Sequence, residues 1–240
     1  MMGSRGIAVG LTLAVLIGGC GRNARDPSTA AGTATTPATG GAASATGRRT
    51  FLIVPGRSTA SYHANEEFFP GALGPLGIKA GRIRVVGSTQ AIEGQFQLDL
   101  ERPTVLVGEN VFSVRLNTLG SDQAKRDGYM REIRDDGGPS FDAYPLATFK
   151  ATAIDGAANE NAAGRELHLG LTGDLTLRDI TKPVMFDVKA QLTDDTLTGV
   201  ATARVLLSAF GLGPIAFSDI LAVADEIEIE VRFTARARPE

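Results

Sequence analysis

From Leu167 to Leu192 apolar and polar residues alternate with a period of two, the pattern of strands with one buried face. In the first arm Leu167, Leu169, Leu171, Leu175 and Leu177 take odd positions, and His168, Thr172, Asp174 and Thr176 take even ones. After Arg178-Asp179-Ile180-Thr181-Lys182-Pro183 the phase flips, with Val184, Phe186, Val188, Ala190 and Leu192 apolar against Asp187, Lys189 and Gln191. The stretch reads as a long hairpin. Pro183 has no N–H for a ladder and is predicted at the start of the second strand.

The same alternation recurs on both sides. Phe51 to Val54, ending at Pro55-Gly56, and then Ala60, Tyr62 and Ala64 against Ser61, His63 and Asn65 predict the first two strands. Phe68 to Gly81 reads as a loop over one end, whose Phe68, Phe69, Leu73, Leu76 and Ile78 either close a pocket or form satellite core. Arg82 to Leu100 resumes alternation through Ile92, Phe96, Leu98 and Leu100. Further strands are predicted at Phe112, Val114 and Leu116, at Phe149, Ala151 and Ala153, and at Ile227, Ile229, Val231 and Phe233. Leu197 to Phe210 is apolar enough for a strand, but its phase assigns no faces. One short helix is predicted over Asp122 to Ile133, with Ser121 as N-cap and Ala124, Tyr129, Met130 and Ile133 inward. Asp135-Asp136-Gly137-Gly138-Pro139 stops it.

About eight strands, one short helix and no βαβ spacing predict an all-β antiparallel barrel or sandwich, and periodicity does not choose between them. Ala60, Ala64, Ala151, Ala153, Ala190 and Gly94 fall in apolar phases. Such small residues either leave room inside or relieve crowding in a dry core.

A chain of 240 residues, 43% hydrophobic and 21% charged, has the composition of a soluble folded domain. Its formal charge of −3 gives no basic footprint for nucleic acid. Cys20 is the only cysteine, so neither an intrachain disulfide nor a cysteine metal cluster can form. Arg5, the apolar run Ile7 to Ile17 and Gly18-Gly19-Cys20 read as a secretory signal over residues 1–20. Ile17-Gly18-Gly19-Cys20 resembles a bacterial lipobox, which implies cleavage before Cys20, lipidation there and a membrane-anchored protein facing the periplasm or cell exterior. Residues 21–48 are mostly Ala, Thr, Gly, Ser and Pro, a flexible tether spanning on average about 25 to 30 Å. The folded domain is placed at 49–238.

The run Gly173-Asp174-Leu175-Thr176-Leu177, followed by Ile180-Thr181-Lys182-Pro183-Val184, resembles the signature of the YceI-like family of bacterial envelope lipid-binding proteins. Leu119, Ser121-Asp122, Arg126-Asp127, Tyr144-Pro145, Ala147, Phe149, Phe210-Gly211, and Asp225 with Ile227, Ile229 and Val231 match in the same order. The resemblance covers about Thr50 to Ala237. It implies an eight-stranded antiparallel up-and-down lipocalin-like barrel around an apolar cavity for an isoprenoid-type lipid or other long-chain amphiphile. On that fold the expected lining is Phe96, Leu98, Phe112, Val114, Leu116, Phe149, Ala151, Leu169, Leu171, Phe186, Val188, Val231 and Phe233. Two departures bear on the head group. Leu207-Ser208-Ala209 stands where the family commonly has a basic and an acidic residue, and Arg178-Asp179 stands where His-Gly is common.

No catalytic pattern stands out, and the reading is a binding protein without cofactor or metal. His63 and His168 lie on polar phases and read as solvated, and no His–x–His or Glu–x–x–His spacing occurs. Glu66-Glu67, Asp135-Asp136 and Asp194-Asp195 read as solvated turn or strand-end residues. Arg126-Asp127 is read as an ion-pair site fixing the helix to the barrel. The alternatives left open are a filled barrel acting as an interaction or stress-response module and an enzyme acting on such a lipid.

Overall fold

In the computed structural model the described residues are 47–70, 79–102, 106–132, 138–156, 166–217 and 220–238. Cys20, the predicted signal and most of the predicted tether lie outside them, as do Leu73, Leu76, Ile78, Ile133, Asp135, Asp136 and residues 157–164. The elements are β1 (Arg48–Ile53), β2 (Thr59–Phe68), β3 (Gly81–Thr89), β4 (Ile92–Asp99), β5 (Val111–Arg115) and α1 (Ala124–Arg131). They continue with β6 (Leu146–Gly156), β7 (Glu166–Leu177), β8 (Ile180–Thr193), β9 (Thr196–Leu206), β10 (Ala216–Phe217), β11 (Leu221–Val223) and β12 (Glu226–Ala237).

The order β1-β4-β5-β6-β7-β8-β9-β12 closes on itself when β12 returns to β1, giving a closed eight-stranded antiparallel barrel of the lipocalin-like kind. Closure leaves those strands no free edge. The first two staves are broken. β1 pairs with β12 at Ala235 to Ala237, and β2 pairs with the same strand at Glu228 to Arg232. β3 and β4 return along β2 and β1. Arg82 to Leu100, one run of alternation in sequence, is therefore two strands separated at Gln90 and Ala91. β11 and β10 extend the sheet beyond β2 at one end only.

The β7–β8 hairpin keeps one register from Glu166 opposite Gln191 to Leu177 opposite Ile180. Its turn is only Arg178 and Asp179, with φ of 50° and 63°. Positive φ at both central residues is the type I′ geometry that suits strand twist. Pro183 lies inside β8 opposite Asp174, not at its start. β9 pairs with β8 only from Asp187 onward, so Pro183 occupies a stretch with a ladder on one side. Asp179→Gly is expected to stabilise the domain by about 0.5 kcal/mol, because glycine takes positive φ without the Cβ clash. A urea midpoint unchanged or lowered by that substitution would contradict the turn assignment.

Two local predictions need correction. A bulge in β6 between Ala151 and Ala153 resets the phase, so Ala151 and Ile154 are buried while Ala153 is exposed. Ser121 is not the helix cap: Gln123 holds that position without a side-chain cap bond, and α1 is shorter than predicted. Ser121 instead donates its N–H and Oγ to the Asp127 carboxylate, the latter at 2.6 Å. The helix start is thus tied down by a buried aspartate one turn inside it.

Candidate functional site

Inward side chains pack differently at the two ends of the barrel. At the end with the β8–β9 turn, Phe51, Leu98, Leu192, Leu197 and Ala235 are at most 1% exposed and form a closed floor. Toward the other end, Phe112, Val114, Ala201, Ile229, Val231 and Phe233 share the inward phase yet are only partly buried. Their remaining surface faces a cavity of about 920 Å³. Packed interiors hold few voids larger than a water molecule, so this is a lumen and not a packing defect.

Twelve of the thirteen predicted lining residues border it. Phe96 and Leu98 come from β4, Phe112 and Val114 from β5, Leu116 from the turn after it, and Phe149 from β6. Leu169 and Leu171 come from β7, Phe186 and Val188 from β8, Val231 and Phe233 from β12. Ala151 is buried but does not border the cavity. It sits at the β6 bulge opposite Gly173, where the Phe149 ring lies 2.6 Å from the place a glycine side chain would take. That ring covers the wall. Sequence reasoning did not place Ile227, Ile229, Leu175, Tyr129 or Met130 on the cavity, which they border. Their signal was present: the first three continue lining phases, and the last two were on the predicted inner stripe of the helix.

Aromatic rings laid over glycine recur around the wall. Tyr62 crosses Gly87, Phe112 crosses Gly94, and Phe233 crosses Gly199, each the glycine opposite it in register. A Cβ at any of these glycines would fall within 2.8 Å of the ring. The missing side chain lets the ring lie against the sheet, which keeps bulky residues from filling the lumen.

The open end is built by α1, the end of β2, the start of β3 and β10–β11. Arg126 of α1 donates through Nε and Nη2 to the Glu66 carboxylate at 2.8 and 3.1 Å, and through Nη1 to Asp122 at 2.6 Å. Glu66 is 6% exposed and so is not the solvated strand-end residue the sequence indicated. Burial works against a charged guanidinium, but the Glu66 and Asp122 carboxylates hold Arg126 protonated above its usual range. The helix is fixed to the barrel by Arg126 and Glu66, while Asp127 serves Ser121. Across the opening Tyr129 meets Phe217 edge to face, with ring centroids 5.0 Å apart. At the other border of this end, Ser208 donates its N–H and Oγ to Asp225, holding that carboxyl below the usual range. This bond joins the two ends of the excursion between β9 and β12.

Tyr62 stands beside this cluster. Burial pushes its phenol up to about 12, Asp127 and Glu66 add to the rise, and Arg126 opposes it. Its hydroxyl is enclosed next to Ser121 without a hydrogen bond of good geometry. Because the folded pKa lies above the unfolded value of about 10, the neutral phenol stabilises the fold below pH 10, and that stability is lost as pH rises toward 12. With partial exposure discounted, the loss is on the order of 1 kcal/mol. Tyr62→Phe is expected to be neutral or stabilising at pH 7 and to flatten the stability profile between pH 10 and 12, as read by urea unfolding. A phenylalanine variant with the parent's alkaline slope would assign that slope to another group.

His63 is also not solvated. Both its ring nitrogens are enclosed without a hydrogen bond, and the Arg84–Glu228 ion pair at 2.8 Å spans β2, the strand that carries it. His168 is exposed, 3.4 Å from Glu166. Among the described residues no group of three or more His, Cys, Asp or Glu could hold a metal ion, and no helix is long and apolar enough to cross a membrane.

A closed antiparallel barrel with a sealed floor, an apolar lumen and a helix at its open end defines a class of small enclosing barrels. The YceI-like domain model matches residues 72–235, and the chain belongs to that family. It is 30% identical over 100 residues to a UPF0312 protein of Shewanella denitrificans, covering 42% of this chain and 46% of that protein. Protein YceI of Shigella flexneri is 30% identical over 105 residues, covering 43% and 47%. The chain thus spans about half the length of the curated relatives it matches. Among solved structures, Burkholderia cenocepacia BcnA superposes with a TM-score of 0.55 at 18% identity, covering 76% of this chain and 98% of that one. A polyisoprenoid-binding domain from Saccharophagus degradans, implicated in plant cell wall breakdown, superposes with a TM-score of 0.53 at 11% identity, covering 79% and 98%. These likenesses establish the fold.

Proposed function

We propose that the barrel binds or carries an amphiphile with a long isoprenoid or similar hydrocarbon chain, which lies in the lumen with its polar end toward α1. The observation that carries this reading is the lumen of about 920 Å³, bordered by inward side chains that keep exposed surface with no protein neighbour. The polyisoprenoid-binding domain of the same fold supports it. At about 30 Å³ per small non-hydrogen group, the volume takes a chain of roughly 30 carbons. Enclosing about 500 Å² of chain gains about 12 kcal/mol gross at 25 cal/mol/Å², against about 4 to 15 kcal/mol of association cost. Micromolar to nanomolar affinity fits that balance, and no catalytic residue is required.

The test is to extract purified full chain with organic solvent, identify the lipids by mass spectrometry and titrate the delipidated protein with a fluorescent polyprenyl probe. Co-purified prenyl lipid and saturable one-to-one binding are expected. An empty extract together with no uptake would overturn the reading in favour of a barrel acting without a lipid.

The lipobox-like Ile17-Gly18-Gly19-Cys20 supports export and anchoring through Cys20, with the domain facing the periplasm or cell exterior. Two or more acyl chains, at about 0.8 kcal/mol per buried CH₂, hold a protein stably where one does not. Cys20→Ala is expected to yield uncleaved or soluble precursor with an unchanged barrel, read by fractionation and precursor size. Normal processing with full membrane retention would defeat the anchor.

A further inference from the structure

We propose that the rim of the open end is a membrane-docking surface that seats the lumen on a bilayer containing anionic lipid. The inference rests on the lipid reading of the lumen and adds where and how the protein meets the lipid's source. Ile83, Phe217 and Ile220 are 44%, 37% and 41% exposed, and all three also border the cavity. Apolar surface therefore runs from the lumen onto the outside of the molecule. The three are held together by the sheet: Ile83 of β3 lies opposite Glu66, Leu221 lies opposite Phe68, and the Phe69 N–H donates to the Ile220 carbonyl at 2.9 Å.

Charge selects the occupant. Lys79 and Lys125 are exposed, border the same opening and have no ion pair among the described residues. The acidic residues beside them are engaged, Asp122 with Arg126 and Glu67 with Arg82. The rim thus presents apolar side chains flanked by two free ammonium groups, the pattern of a surface that dips into the headgroup layer of an anionic bilayer. A bilayer also fits the cargo. A hydrocarbon chain passing from bilayer to lumen along Ile83, Phe217 and Ile220 does not cross water, whereas the floor at the opposite end is closed.

Cys20 is the only cysteine, so in a Cys20→Ala background a single environment-sensitive dye can be placed at will. Phe217→Cys and Ile220→Cys carry the dye on the rim, and Thr193→Cys carries it at the far end of β8. Vesicles of phosphatidylcholine with phosphatidylglycerol are expected to shift both rim dyes to the blue. Doxyl-labelled lipid should quench them, with the Thr193 dye unchanged. Replacing Lys79 or Lys125 by Gln should weaken vesicle affinity about fivefold each, and less as salt rises.

Rim dyes that stay in water while the protein sediments with vesicles would overturn the proposal and assign attachment to the N-terminal segment. Rim dyes already shielded without vesicles would overturn it in favour of a second copy of the chain. Uptake of a polyprenyl probe from detergent by the same proteins separates the two claims. Uptake without rim insertion removes the docking surface alone, and absence of uptake removes the lipid reading as well.

Discussion

Arg126→Ala is expected to cost about 3 to 5 kcal/mol of stability, the range for breaking a buried ion pair by removing one partner. The Arg126 and Glu66 side chains are 14% and 7% exposed, so the variant leaves a carboxylate enclosed without its counter-charge. Asp122 and Ser121 lose the same guanidinium. The neighbouring Lys125→Ala, at an exposed position, is expected to stay within about 0.5 kcal/mol of the parent. Urea unfolding of both, with the double variant Arg126→Met and Glu66→Leu, checks the cause. If the loss comes from an orphaned charge, the double variant recovers most of it; if α1 is held by apolar contact, Arg126→Ala costs below 1 kcal/mol and the double variant brings no recovery.

This ion pair marks the limit of what the sequence discloses. Strand faces were legible because one buried side imposes a period of two, and twelve lining residues reach the lumen on that pattern with the family resemblance. The errors come where a local rule meets a tertiary partner. Glu66 sits in a pair of glutamates that reads as solvated, and only α1 folding back over β2 supplies Arg126. His63 has a polar phase, yet its ring nitrogens are enclosed, on a strand that an ion pair between its two neighbours spans. Pro183 is admitted inside β8 because β9 joins that strand only later. Ala153 turns outward because one extra residue in β6 resets the phase. Each depends on which strand lies beside which, information that alternation within one strand does not hold. Of the glycines under Tyr62, Phe112 and Phe233, the pattern singled out only Gly94, as a small residue that leaves room or relieves crowding; the use of all three appears once register sets a ring across them.

Two alanines that look alike in sequence are expected to answer oppositely to the same enlargement. Ala201 of β9 lies opposite Val188 and Val231, borders the lumen and keeps exposed surface there. Ala151 of β6 is 6% exposed and touches the wall beneath Phe149. In Ala201→Phe the new ring enters the lumen, so delipidated protein should melt within about 0.5 kcal/mol of the parent. Displacing two or three methylenes of chain at about 0.8 kcal/mol each should weaken lipid binding by about 2 kcal/mol, roughly thirtyfold in Kd. In Ala151→Phe the ring has no void to enter, and overpacking should cost about 1 to 3 kcal/mol with the lumen largely preserved. Melting is measured without lipid, because bound ligand would raise the transition of whichever variant still binds. A stability loss in Ala201→Phe equal to that in Ala151→Phe would mean that the barrel closes on itself in solution, since only a lumen that stays open can take a phenyl ring without strain.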